Sequence, residues 1–264
     1  MINAISISAD LAAVRSRSPL VHNITNFVVM NNTANALLAL GASPVMAHAA
    51  EEVTDMVGIA SALVINMGTL SRHWVDGMLL AGKAARQKGI PVVFDPVGVG
   101  ATPYRNETAA QIVEQCKPTI IRGNASEIMA LANENSPTKG VDSTAASGSA
   151  VEAAKRLAAQ TGAIIVISGA EDFITDGNQV LSIKNGSPLM PKVTGMGCTA
   201  TAVIAAFASV NSDPLMAAAH AMAVMSIAGE LATAKSAGPG TLQLHFIDVL
   251  FSLSPEDIER IFKA

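Results

Sequence analysis

Two consecutive helical stretches without a charged side chain set the first constraint on this chain. Val193 to Ser212 carries none, and Leu215 to Gly229 holds only the titratable His220. A helix that is apolar all round must be covered on every side, by lipid, by a large core or by another subunit. The first run has the ~20 residues needed to cross a bilayer. Its content points the other way: it opens on Thr194-Gly195-Met196-Gly197, is rich in Ala and Thr, and breaks at Asn211-Ser212-Asp213-Pro214, a turn signal. The expectation is a pair of central helices, not membrane spans.

The rest of the chain must supply the cover. Its 264 residues give room for one large domain, and half of them are hydrophobic. Only 3% are aromatic, so the core is expected from Ala, Val, Ile, Leu and Met. A net charge of −4 without any basic run excludes a nucleic-acid or anionic-membrane footprint. Cys116 and Cys198 stand far apart, which is neither a disulfide framework nor metal-ligand spacing. Met1 to Leu11 lacks the charged and apolar regions of a signal peptide, so a cytoplasmic protein is expected.

Short β-branched runs alternate with longer helical stretches. Pro44 to Met46, Ala62 to Asn66, Pro91 to Phe94, Thr119 to Ile121 and Ala163 to Ile167 read as buried strands. Asn31 to Leu40, Arg72 to Lys88, Tyr104 to Gln115, Ala125 to Ala132 and Val151 to Gln160 read as helices. Strands without polar alternation are covered on both faces, as in a parallel sheet joined by right-handed crossovers. Asp172 to Thr175 and Gln179 to Ile183, split by Asp176-Gly177-Asn178, read as an antiparallel hairpin. Ala132 to Ser149 is the most polar stretch and reads as a surface loop. The fold class expected is α/β, a three-layer α/β/α domain spanning residues 1–264 with a mostly parallel sheet.

In such sheets the ligand site lies beyond the carboxyl ends of the strands. Asp95, after one strand, either holds a cation or caps a turn. Arg122, after the next, suits phosphate through its planar fork. Asn124-x-x-Glu127 has the spacing of a helix capping box, and Glu127 is equally able to bond a metal-bound water. Ser168-Gly169 ends a further strand as a phosphate contact or a plain turn. Gly195 and Gly197 let backbone N–H groups converge on an anion at a helix start. Cys198, in the first turn of that helix, has its thiolate favoured there, or is a small packed residue. No Gly-x-Gly-x-x-Gly in a strand–turn–helix setting, P-loop or Gly-x-Ser-x-Gly elbow occurs. An Asp, an Arg, an Asn-x-x-Glu and a glycine turn at strand ends together suit metal-assisted phosphoryl transfer.

At these residues the chain resembles a known family. Thr194-Gly195-x-Gly197 with Asn124-x-x-Glu127 is similar to the ribokinase-like small-molecule kinases. "VHNITNFVVMNNTANALLALGASPVMAHAAEEV" (Val21 to Val53), "INMGTL" (Ile65 to Leu70), "DPVGVGAT" (Asp95 to Thr102), "RGNASEI" (Arg122 to Ile128), "TGMGC" and "GPGT" (Gly238 to Thr241) resemble the hydroxyethylthiazole kinases of thiamine salvage. The resemblance covers nearly the whole chain with its motifs in order. It implies ATP-dependent phosphorylation of 4-methyl-5-(2-hydroxyethyl)thiazole, a requirement for Mg²⁺, and a homotrimer with active sites between subunits. By matching motif it implies that Met46, Gly195, Asn26 and Gly68 contact the thiazole, and that Arg122, Ser168 and Thr194 contact ATP. Asp95 and Glu127 then serve the Mg²⁺–phosphate region, Gly195 and Gly197 form an anion hole for the transferred group, and Cys198 is the general base. Most ribokinase-like enzymes place an Asp at position 198, where thiazole kinases resemble this sequence in having Cys. A hydroxyl at position 168 is as readily Thr as Ser.

Overall fold

The computed structural model describes residues 2–132 and 144–263. Its sheet has eight strands: β1 (Leu20–Ile24), β2 (Ser43–Met46), β3 (Ala62–Asn66), β4 (Val92–Asp95), β5 (Ile120–Asn124), β6 (Ile164–Ser168), β7 (Asp172–Thr175) and β8 (Val180–Ile183). Their order is β2-β1-β3-β4-β5-β6-β7-β8, parallel through β6 and antiparallel for the last two pairs. The chain runs outward from β1 to β2, then returns to lay β3 on the other side of β1. That reversal opens a crevice beyond the carboxyl ends of β1 and β3, where ligands bind in open α/β sheets.

Helices cover both faces. On one lie α3 (Val53–Ile59), α4 (Arg72–Lys88), α5 (Pro103–Cys116), α6 (Ala125–Leu131) and α7 (Thr144–Thr161). Helix α4 shows how local chemistry fixes the bounds. Ser71 accepts from the Trp74 N–H at the start, and its buried face, from Trp74 to Ala85, repeats at helical spacing. The other face carries α8 (Met196–Ala208) and α9 (Pro214–Thr233), packed on the strands. Around this pair lie α1 (Ala4–Arg17), α2 (Met30–Leu40), α10 (Pro239–Ser252) and α11 (Pro255–Ile261).

The uncharged stretches therefore form an inner pair. Residues from Ala202 to Phe207 are all fully buried, as are Ala217, Ala218, Ala219, Ala221 and Ala223. Among the described residues, Pro214–Thr233 is the one helix long and apolar enough to cross a membrane, and 83% of its most apolar window is buried inside the protein. Small side chains let the two helices approach each other and the sheet closely. Their apolarity is thus satisfied within the chain and gives no support to a subunit interface.

The sequence reading needs correction at several places. It missed β1, because His22 and Asn23 interrupt the apolar run, yet both are fully buried. It missed α1, whose apolar stripe is thin, and the short α3. The polar stretch from Ala132 to Ser149 is not all loop: α7 already begins at Thr144, and residues 133–143 lie outside the described residues.

Ala205 has no accessible surface between α8's neighbours. Ala205→Leu should overpack this layer and cost ~1–3 kcal/mol. Urea unfolding should show a lower midpoint at unchanged slope; an unchanged midpoint would mean the layer has slack.

Candidate active site

The polar side chains buried beyond the strand ends form one connected group. Asp95, the last residue of β4, is fully buried. Its Oδ2 accepts from Asn66 Nδ2 at 3.0 Å and from Thr201 Oγ1 at 2.8 Å, and lies 3.6 Å from Arg122 Nη1. Its Oδ1 has no partner. Asp95 is thus no turn cap, because its carboxylate points into the site. Asn66 ends β3, and its Oδ1 accepts from Asn26 Nδ2 at 2.9 Å and from the Gly68 N–H at 2.9 Å. Asn26 Nδ2 also reaches Cys198 Sγ at 3.5 Å. A continuous chain of contacts therefore runs Arg122–Asp95–Asn66–Asn26–Cys198 across β5, β4, β3 and the loop after β1.

Arg122 is 9% exposed and is held from three sides. Nη2 donates to Ser168 Oγ at the end of β6, Nη1 faces Asp95, and the first turn of α8 lies against its two terminal nitrogens. A Cβ on Gly197 would stand 2.6 Å from both terminal nitrogens, so only glycine lets the helix approach the guanidinium. Gly195 is the N-cap of α8, in the left-handed region at φ 85°. The first-turn N–H groups after it have no intrahelical acceptor and carry the positive end of the helix. Guanidinium and helix start converge as a site for an anion.

Glu127 serves two structural bonds. Asn124 and Glu127 form the capping box of α6, with Glu127 Oε2 accepting from the Asn124 N–H at 2.9 Å. Its Oε1 accepts from the Gly98 N–H at 2.9 Å, in the loop after Asp95. The capping-box reading of Glu127 holds, and its second oxygen is bonded to the loop after Asp95.

Electrostatics changes the view of Cys198. The thiol is in the first turn of α8, as expected, but burial and the charge on Asp95 push it up to about 11. Asn66, Arg122 and Asn26 pull it back only in part. The helix end favours a thiolate, yet desolvation outweighs it, so Cys198 is a thiol at neutral pH. Burial likewise raises Asp95 to about 6 against the pull of Arg122.

The site offers few ligands for a divalent cation. Among the described residues no group of three or more His, Cys, Asp or Glu side chains gathers to hold a metal. Mg²⁺ needs less, since it is commonly held by one or two carboxylates with waters and substrate phosphates. The unpartnered Oδ1 of buried Asp95 is a free hard-oxygen ligand, and the Glu127 carboxylate adds negative charge near it. The residues fit such an ion bound together with a phosphorylated substrate.

Two residues expected in the site lie at its margin. Met46 is half-buried at the end of β2, one strand outside the polar chain, and Thr194 is exposed before α8. Sequence reading missed Asn66 and Thr201. Asn66 closes an apolar run at a strand end, the signal that singled out Asp95. Thr201 sits one turn after Gly197 on α8, and also donates to the Gly197 carbonyl at 3.3 Å.

Comparison with known proteins decides the family. The model of the hydroxyethylthiazole kinase family matches residues 11–256. The chain belongs to the hydroxyethylthiazole kinase family. A relative named hydroxyethylthiazole kinase from Syntrophus aciditrophicus is 60% identical over 96% of this chain and 94% of its own length. A solved structure of hydroxyethylthiazole kinase protein from Pyrococcus horikoshii OT3 superposes with a TM-score of 0.91, at 40% identity over 97% of each chain. A ribokinase-like superfamily protein from Enterococcus faecalis shares the fold, with a TM-score of 0.63 at 15% identity over 96% of each chain. The three-layer architecture read from the alternation of strands and helices is that of these kinases.

Asp172 offers a pH test at the edge of this group. It is 4% exposed on β7, bonded by the Gly169 N–H at 3.0 Å and by Ser226 Oγ at 3.1 Å, and burial raises it to about 6. The native state thus holds this proton to higher pH than the unfolded chain. Stability falls as pH rises from about 3.8 to about 6, then stays level. Asp172→Asn can keep the bond from the Gly169 N–H, reverses the Ser226 bond so that Nδ2 donates to Oγ, and removes that slope. The stability difference, variant minus parent, should grow by up to roughly 3 kcal/mol between pH 4 and pH 7 in urea titrations. A difference independent of pH would place the raised titration elsewhere.

Proposed function

We propose that this kinase transfers the γ-phosphoryl group of ATP to the hydroxyl of 4-methyl-5-(2-hydroxyethyl)thiazole, giving ADP and the thiazole phosphate. The observation that carries the reading is the buried Arg122–Asp95 pair, set beneath the Gly195–Gly197 turn and joined to Asn26 and Cys198 at the reversal of strand order. The acceptor side is Asn26, Gly68 and Met46, after β1, β3 and β2. The phosphate side is Arg122, Ser168, Thr194 and the start of α8. This division supports a reaction in which two bound molecules meet between the two halves, within one catalytic domain spanning the chain.

The acceptor oxygen attacks the γ-phosphorus, the bond to the β-phosphate oxygen breaks, and ADP leaves with its electron pair. Arg122 and the N–H groups after Gly195 stabilise charge on the transferring group. Asp95, with Glu127 nearby, would hold Mg²⁺, which would supply neutralisation of the phosphate charge there. Cys198 stands beside Asn26, where in its thiolate form it would receive the hydroxyl proton. A thiol raised to about 11 is a poor early base. A loose transition state needs little proton removal before the phosphoryl group has moved, so the proton leaves late, to the minor Cys198 thiolate or to an oxygen of the transferred phosphoryl group.

The family resemblance extends the proposal to a homotrimer acting in the cytoplasm. Phe27 and Val28, next to Asn26, are 66% and 65% exposed and give the rim of the site an apolar surface that a neighbouring subunit would cover. Light scattering on the purified protein should give three times the chain mass; a monomer that turns over would remove subunit sharing from the mechanism.

ADP release from MgATP should be measured with hydroxyethylthiazole, a hydroxymethylpyrimidine, ribose and no acceptor. Turnover confined to the thiazole is expected. Turnover on another alcohol alone would move the acceptor assignment while keeping the phosphate side. Cys198→Ala should lower kcat about 10–100-fold, less than loss of an early base at the upper end of its usual ~10²–10⁴-fold contribution, with little change in the KM for ATP. An unchanged kcat would take the proton from Cys198.

A further inference from the structure

Arg105 occupies the first turn of α5, where a cation works against the positive end of the helix. Thr102 caps that helix by accepting from the Arg105 N–H at 3.3 Å, so the helix start is satisfied without the guanidinium. The side chain turns instead to three main-chain carbonyls. Nη1 donates to Met67 at 2.6 Å and to Val97 at 2.6 Å, and Nη2 donates to Gly68 at 2.8 Å. None of the ion pairs among the described residues involves it.

The three carbonyls belong to two loops with different duties. Met67 and Gly68 follow β3 on the acceptor side, where Asn66 holds the Gly68 N–H and also Asn26. Val97 follows Asp95 on the phosphate side, next to Gly98, whose N–H is held by Glu127. Each loop is tied inward by a side chain of the site. Arg105 ties the two loops to each other from the outside.

We infer that Arg105 is a positioning residue, whose guanidinium fixes the β3 loop against the β4 loop and so sets the gap between acceptor hydroxyl and phosphoryl group. The inference rests on the kinase reading above. Its guanidinium bonds are spent on main-chain carbonyls, so it acts through the loops that carry them. A planar fork reaches three carbonyls in two loops, whereas a lysine ammonium is a point charge with a narrower span. Transfer needs reacting atoms ~3–3.5 Å apart, and a misplacement of ~1 Å costs on the order of 100-fold. Each loop keeps its own inward contacts without Arg105, so each substrate still binds. What is lost is their alignment, and water then competes with the misaligned hydroxyl for the phosphoryl group.

The test compares the parent with Arg105→Lys, Arg105→Gln and Arg105→Ala, reading ADP and thiazole phosphate separately. The expected result is a 10–100-fold fall in kcat for the glutamine and alanine variants and a smaller fall for lysine. KM for ATP and for the thiazole alcohol should stay within threefold. The ratio of ADP to thiazole phosphate should rise above one, and added guanidinium ion should restore part of the rate to Arg105→Ala. If the alanine variant does not fold, the lysine and glutamine variants decide. Folded variants with kcat within twofold of the parent, or activity lost only in step with folded protein, overturn the inference. A parent that never phosphorylates the thiazole overturns the kinase reading instead.

Discussion

A largely buried guanidinium, with a carboxylate 3.6 Å away and a helix start against its terminal nitrogens, fixes the geometry on which the site depends. Burying such a pair is costly unless both ions find further partners. Arg122 finds Ser168, and Asp95 finds Asn66 and Thr201. Those partners come from β6, β3 and α8, so satisfying the pair brings together elements far apart in sequence. The pair is still incomplete: Asp95 Oδ1 and Arg122 Nε lack partners.

The same arrangement explains what the sequence could reveal. Ala62 to Asn66 and Arg72 to Lys88 are read to the residue, because burial on both faces or on one stripe writes itself into local periodicity. Asp95, Arg122 and Ser168 are legible because strand ends are where parallel sheets keep their chemistry. β1 is not, since its polar residues look like a turn until the sheet is assembled around them. Arg105 reads as an ordinary exposed residue of a helix, because the carbonyls it binds are recruited through tertiary structure. The charge state of Cys198 is hidden for a related reason: helix position is local, but desolvation is a property of the whole pocket.

Chain order gives the inner helices a further consequence. β1, β3 and β4 belong to the first 95 residues, yet α8, which covers one of their faces, comes from residues 196–208. At ~5–20 residues per second, a ribosome takes on the order of 5–20 s to span that interval. Throughout it one face of the growing sheet lacks its own helices, and the apolar strands stay open to wrong partners. The absence of charge that makes α8 and α9 good core elements therefore also makes the nascent chain dependent on finishing its last third.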